Sequence, residues 1–214
     1  MLPTMDDEIR YIPRSGPMFS GGSLAKADLA TNLAIPLLAE GGWSALTLRN
    51  VARASNVTPQ AIAAWFPSVD AMRAAVAGRY GQRWIGERGC LARRRVMERQ
   101  ISDQSVGLPQ VALALLPQTW LEQVYDGVWL TVVEAARWDE ALRSEVAAIE
   151  EAERDLVARL LHGLGGRDAD RLERDVDLVL AIVRGMRVAH TSPHDAMSPE
   201  RAARVLAESL SGVT

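Results

Sequence analysis

Residues 47–72, TLRNVARASNVTPQAIAAWFPSVDAM, decide how this chain folds. A hydroxyl at Thr47 opens a short helix in which Val51 faces inward and Ala52 is small enough for a second helix to cross closely. Ser55-Asn56 reads as a turn, because asparagine tolerates the left-handed conformation better than most residues. Val57 plugs the corner. Thr58-Pro59 starts a second helix, with a hydroxyl at the N-cap and a proline at the first helical position, where its missing N–H costs nothing. Ser68 then caps a third helix, with Asp70 favourably placed in its first turn. Two short helices meeting at a tight corner, with a small residue and an apolar plug, form a helix-turn-helix. In such units the second helix enters the DNA major groove.

Working outward, residues 24–40 read as a helix with Leu29, Leu33, Leu37 and Leu38 on one face, kinked by Pro36 and ended by Gly41-Gly42. Residues 1–23 mix prolines, glycines and serines without periodicity and read as a flexible arm, whose Arg10 and Arg14 are candidates for phosphate contact. Downstream, the helix opened by Ser68 carries Met72, Val76, Tyr80 and Trp84 at steps of four and continues towards Gln100. Its triplet Arg93-Arg94-Arg95 lies far down the axis from the helix-turn-helix and reads as a solvated face. After a polar loop over 101–107, helices are expected over 108–116, 118–138 and 139–164, then from about Leu172 to His190, and from Ser198-Pro199 to near the end. Glu150–Arg154 and Asp155–Arg159 are expected to pair along the wet face of the helix over 139–164. Strand-like alternation is absent, so the expected class is all-α with about nine helices. The expected organisation is an arm over 1–23, a helix-turn-helix domain over 24–72 and a ligand-binding and dimerisation domain over 73–214.

Composition agrees with a soluble chain. Of 214 residues, 48% are hydrophobic and 24% charged, enough for a core under a charged surface. One cysteine, Cys90, rules out a disulfide framework. No apolar run is long enough for a bilayer span, and the N-terminus lacks the order of a signal peptide, so the expected location is cytoplasmic, without membrane contact. The net charge of −3 does not advertise nucleic-acid binding, but residues 24–80 set Lys26, Arg49, Arg53, Arg73 and Arg79 against Asp28, Glu40 and Asp70, a local excess of about two positive charges. Enzyme chemistry has little support. His162, His190 and His194 are the only histidines, no acid stands at ligand spacing, no triad is recognisable, and a strand-free chain has no phosphate loop. No catalytic residue, metal or cofactor is expected.

The motif order in residues 33–72 resembles the TetR family of bacterial transcriptional regulators. It runs through an Ala- and Leu-rich helix, a Gly-Gly, Thr47-x-x-x-Val51-Ala52, Val57-Thr58, Trp65-Phe66-Pro67-Ser68 and Met72. More loosely, VWLTVVEAARWDEALRSE (128–145) and AIVRGMRVAHTSPHDAMSPERAARVL (181–206) resemble the ligand and dimer domain of the branch that contains choline-responsive betaine regulators. The resemblance implies a ligand-responsive, sequence-specific DNA-binding regulator, most often a repressor. It also implies a homodimer built through the last two helices, a palindromic operator and a small-molecule effector. On this reading Thr47, Arg49, Thr58, Pro59, Gln60, Ala61, Ala64 and Trp65 face DNA. Gln60 is suited to an adenine, and the alanine methyls to thymine methyls. Three positions depart from the family pattern: Asn56 replaces the turn glycine, Ala63 an aromatic and Val69 a lysine. The last two remove phosphate contacts and motivate an alternative, a dimer of this type that has lost operator binding and acts through a protein partner.

Candidate ligand residues are Trp84, Trp120, Tyr125 and Trp129, large aromatics that either line a pocket or fill a core. Tyr125 and Trp129 sit four apart and share a helix face. Arg187 and His190, with Arg184, are candidates for holding an acidic ligand group, the alternatives being a dimer interface or solvent.

Overall fold

A computed structural model of the chain describes residues 23–102, 104–166, 168–191 and 197–210. The arm and its Arg10 and Arg14 lie outside the described residues, as does His194. Nine α-helices succeed one another among the described residues: α1 (Ser23–Gly41), α2 (Leu48–Ala54), α3 (Pro59–Trp65), α4 (Val69–Ile101), α5 (Leu108–Leu115), α6 (Trp120–Ala135), α7 (Glu140–His162), α8 (Ala169–His190) and α9 (Pro199–Leu210), with a 3₁₀ turn (Trp43–Ala45) before α2. No strand occurs among the described residues.

The local signals at the helix-turn-helix act as expected. The hydroxyl of Thr47 accepts from the Asn50 N–H at 3.2 Å, that of Thr58 from Ala61 at 3.2 Å, and that of Ser68 from Ala71 at 3.0 Å. Each cap satisfies one of the amides that a helix start leaves unpaired. Asn56 takes φ 53°, the one non-glycine residue with positive φ among those described, so an asparagine does here what a turn glycine would do. Val57 is half-buried at the corner against the core.

The buried face of α1 differs from the expected leucine stripe. Ala30, Thr31, Ala34, Ile35 and Leu38 point inward, while Leu29 and Leu33 are exposed. Small residues win the inner positions because α2 and α4 both pack closely on this face, and Thr31 returns its hydroxyl to the Ala27 carbonyl at 2.8 Å.

Two apolar clusters fill the molecule. The first joins Leu38, Val51, Ile62 and Phe66 to Met72, Val76, Tyr80 and Trp84, and on to Trp129, Val132, Leu142 and Val146. It crosses residue 72 without a break, so α4 is both the floor of the helix-turn-helix and the spine of the C-terminal helices. The second cluster packs the far half of α4 with α5, α7, α8 and α9. Close approach on α4 depends on Gly81: a Cβ there would stand 2.7 Å from the Trp129 ring and 2.8 Å from Ile149. Glycine thus lets Trp129 lie flat on the helix. Of the expected surface pairs, Asp155–Arg159 stands at 3.9 Å, but Arg154 turns to Asp177 on α8, and Glu150 pairs with Arg184 at 3.6 Å. Cross-helix partners displace the local pair because α7 and α8 pack side by side.

Candidate functional sites: recognition helix and buried charged cluster

The helix-turn-helix presents α3 outward. Thr58, Pro59, Gln60, Ala63 and Ala64 are exposed, Ala61 and Trp65 half-buried, and Ile62 is the residue that anchors the helix to the core. Trp65 packs against the core beside Phe66, so part of its ring is spent on holding α3 in place. Arg49 is exposed on α2; Thr47 is half-buried at its cap. Asn50 spans the corner, donating to the Ala45 carbonyl at 2.9 Å and accepting from Arg53 at 2.9 Å, which holds that guanidinium on the surface. The local positive charge is smaller in practice than its count. Arg73 donates to the Leu46 carbonyl at 2.9 Å, and Arg79 pairs with Asp28 at 3.2 Å. Arg49 and Arg53 are the cations that α2 leaves on this face.

The second site lies where α4, α6, α7 and α8 meet. Asp126 of α6 is 1% exposed, and its Oδ1 accepts from Trp84 Nε1 at 2.9 Å and from the Arg88 guanidinium. Arg88 also donates to the Leu115 carbonyl at 2.9 Å. Arg187 of α8 pairs with the buried Glu153 of α7, and its Nε stands 3.6 Å from Asp126 Oδ2. Trp84 and Trp129 stack with centroids 5.1 Å apart, and the guanidiniums of Arg187 and Arg88 lie over the Trp84 ring at 4.9 and 5.8 Å. Tyr80 donates to the Tyr125 carbonyl at 2.7 Å; burial, then the neighbouring Tyr125 and Asp126, push its phenol pKa up.

Burial alone would raise the Glu153 pKa, but Arg187 and Arg184 beside it prevail and hold the carboxyl below the usual carboxylate range. Burial pushes the Arg88 pKa down, opposed by Asp126. Burial also pushes the His190 imidazole down, only partly offset by Asp126, so the ring is neutral near pH 7. Five buried polar atoms in this cluster have no hydrogen-bond partner among the described residues: Asp126 Oδ2, Arg187 Nε and Nη2, and both nitrogens of His190. The Met197 backbone comes near the His190 ring, outside hydrogen-bond geometry. Unpaired buried polar atoms are costly, and a concentration of them calls for a further partner such as an ordered water, an ion or a ligand. Beside the cluster, a cleft of about 240 Å³ between α4 and α6 is lined by Trp84, Glu87, Arg88, Leu121, Tyr125 and their neighbours.

Four of the sequence-expected ligand residues, Trp84, Trp129, Arg187 and His190, therefore fall in one cluster. Tyr125 and Trp129 are placed differently: Trp129 is buried on Trp84 and Tyr125 lines the cleft. Trp120 stands apart, 63% exposed at the start of α6, because that turn projects past the helices it would have to pack on. Arg88, Asp126 and Glu153 were not foreseen. Their one signal in the sequence is position, since each interrupts an apolar stripe with a charge. Arg95 also departs from its expected place on a solvated face. It grips both Glu122 oxygens at 2.8 and 2.9 Å and the carbonyls of Ala114 and Leu116 at 3.1 and 3.2 Å, tying α4 to the end of α5. Arg94 does lie on the surface.

No protein-family model and no curated protein sequence matches the chain. Solved structures do. A transcriptional regulator from Rhodococcus sp. RHA1 superposes with TM-score 0.62 at 18% identity, over 86% of this chain and 94% of that one. A TetR transcription regulator from Haloarcula marismortui superposes with TM-score 0.62 at 16% identity, over 86% and 95%. A protein from Saccharomonospora viridis assigned as a transcriptional regulator, solved in complex with choline, gives TM-score 0.62 at 16% identity, over 89% and 97%. At these identities the likeness is one of fold: the chain has the TetR-type architecture of a helix-turn-helix joined to a helical C-terminal domain.

Proposed function

We propose that this chain, having the TetR-type fold, is a transcriptional regulator that binds a palindromic operator as a homodimer and is released or engaged by a small molecule held at the buried cluster. The observation that carries this reading is the continuity of the first apolar cluster. It runs from Ile62, under the recognition helix, through Met72 and Tyr80 to the Trp84–Trp129 stack that walls the charged cluster. Helix α6, which carries Asp126 and Trp129, also packs on α1 and on the 3₁₀ turn just before Thr47. A ligand that moves Asp126 or Trp129 thus acts on an element already in contact with the DNA-reading head. Close-packed interiors pass such shifts on as rigid displacements.

The surface of α3 suits a reader that works by few side chains. Gln60 is the polar residue placed for a base edge, Ala61 and Ala64 offer methyls, and Arg49 and Arg53 supply charge. The dimer reading draws support from α8, where Ala181, Gly185 and Val188 are exposed beside half-buried Leu178 and Ile182, a low stripe that a second helix can approach closely. The choline of the Saccharomonospora viridis neighbour supports a small-molecule role for this fold, without naming the molecule here.

Selection from random duplex DNA tests the whole reading. It is expected to enrich a two-fold symmetric site, bound by a dimer in light scattering, with affinity falling steeply as salt rises. Gln60→Ala is expected to weaken binding by ~1–3 kcal/mol and relax the sequence preference at one position per half-site. Failure to enrich any motif at low salt would favour the protein-partner alternative, which the exposed methyl of Ala63 and the half-buried Val69 at the phosphate-contact positions already motivate.

A further inference from the structure

Taking the buried cluster as the effector site, we propose that its ligand is a small carboxylate with an apolar body, gripped side-on by Arg187 and bound together with a proton taken up by His190.

Arg187 spends Nη1 on Glu153, and among the described residues its Nε and Nη2 have no hydrogen-bond partner. Those two nitrogens form the side-on edge of the guanidinium, whose parallel N–H groups match the two oxygens of a carboxylate. Asp126 Oδ2, at 3.6 Å from Nε, does not saturate that edge. One helical turn further along α8, His190 is 4% exposed, and among the described residues neither ring nitrogen has a partner in hydrogen-bond geometry, the Met197 backbone lying near the ring. A buried donor edge and a buried imidazole side by side are the parts of an acid-binding site.

Charge balance supplies the proton. Arg88, Arg187 and Arg184 are matched by Asp126, Glu153 and Glu122, and burial pushes the His190 imidazole pKa down, disfavouring its charged form. A carboxylate entering this neutral, water-poor site brings one unbalanced negative charge, which is expensive in a low dielectric. Protonating His190 restores the balance and gives the ligand a second charged donor. The groups facing His190 are Asp126 from α6 and Arg88 from α4, with Arg187 on its own helix and Glu153 of α7 reached through Arg187. Before binding, burial and Arg88 oppose protonation against the pull of Asp126 and the Met197 backbone; afterwards the ligand's charge favours it.

A quaternary ammonium fits poorly. The aromatic face that would cage one, Trp84, stacks on Trp129 and already carries the guanidiniums of Arg187 and Arg88. The apolar body has a place in the adjoining cleft, where Leu91, Leu121 and Tyr125 meet Trp84 and Arg88, the two residues common to cleft and cluster.

The test compares benzoate, benzamide and benzyltrimethylammonium at millimolar concentration on the full-length protein, by thermal shift and titration calorimetry. Benzoate is expected to bind at least about tenfold more tightly than either of the others, a difference of ~1.4 kcal/mol. Its affinity is expected to rise as pH falls from about 8 to 6, by up to tenfold per pH unit, with a buffer-dependent heat that reports proton uptake. His190→Gln is expected to keep the preference for benzoate and flatten the pH dependence. Arg187→Lys, checked for folding by circular dichroism, is expected to lose the preference. Equal binding of the amide or the ammonium, no response to benzoate, or an unchanged pH slope in His190→Gln would each overturn the proposal. DNA is absent from these measurements, so a protein that binds benzoate but selects no operator sinks the regulator reading alone.

Discussion

The helix-turn-helix head closes on methyl groups and hydroxyl caps, whereas the centre of the C-terminal domain closes on charges. In the head, Val51, Ile62 and Leu46 are fully buried, and the polar groups at the corner are settled within a few residues by Thr47, Asn50 and Thr58, save the Ser55 hydroxyl, which has no hydrogen-bond partner among the described residues. In the body, two arginines, two carboxylates and a histidine are buried together, and several of their atoms have no hydrogen-bond partner among the described residues. A structure that only had to be stable would have little reason for the second arrangement, since apolar residues of similar volume often do as well. The difference separates a rigid presenting device from a poised one. On the proposed reading, the head aims α3 the same way every time, while the body gains partners for its charges when a ligand arrives.

The contrast can be broken by substitution. The largest effect is expected from Asp126→Ala, which removes the hydrogen-bonded carboxylate partner of the buried Arg88; urea unfolding should register a loss of ~3–5 kcal/mol. Should it cost under about 1 kcal/mol, the cluster is wetter than its burial indicates. Ile62→Ala in the head should cost ~2–4 kcal/mol by leaving a cavity under α3, and DNA binding should fall with it. Thr58→Ala removes one cap and should cost ~1 kcal/mol, read as a small shift in the denaturation midpoint. A last signal, set by pH rather than by substitution, comes from Glu153. Its folded pKa lies below its unfolded value, so its stabilising contribution is complete above the usual carboxylate range and is lost as pH falls through the folded pKa. Urea midpoints measured down an acid series should show that loss in the native chain and not in Glu153→Gln.

Legibility divides along the same line. Thr47, Asn56, Thr58-Pro59 and Ser68 announced the head because each acts on its own backbone within three or four residues, a range that linear spacing records. The misread side of α1 has the opposite cause. Leu29 and Leu33 have helical spacing, but the choice between two apolar faces belongs to the helices that pack on them, and these favour the small Ala30 and Ala34. Likewise Arg94 and Arg95 are adjacent in sequence and opposite in fate. One stays on the surface and the other meets Glu122, twenty-seven residues away, because helix rotation places only Arg95 towards α5 and α6.

By itself, then, the sequence determined an all-helical chain, the position of nearly every helix, and a helix-turn-helix whose second helix is poor in DNA-gripping side chains. These are consequences of periodicity and capping, which are local. Only the tertiary structure decided that Asp126, Glu153, Arg88, Arg187 and His190 meet, that Trp84 carries two guanidiniums, and that one apolar cluster joins this place to the recognition helix. Four helices must pack before those charges share a site, and their electrostatics arise from burial and mutual distance, which no spacing along one chain encodes.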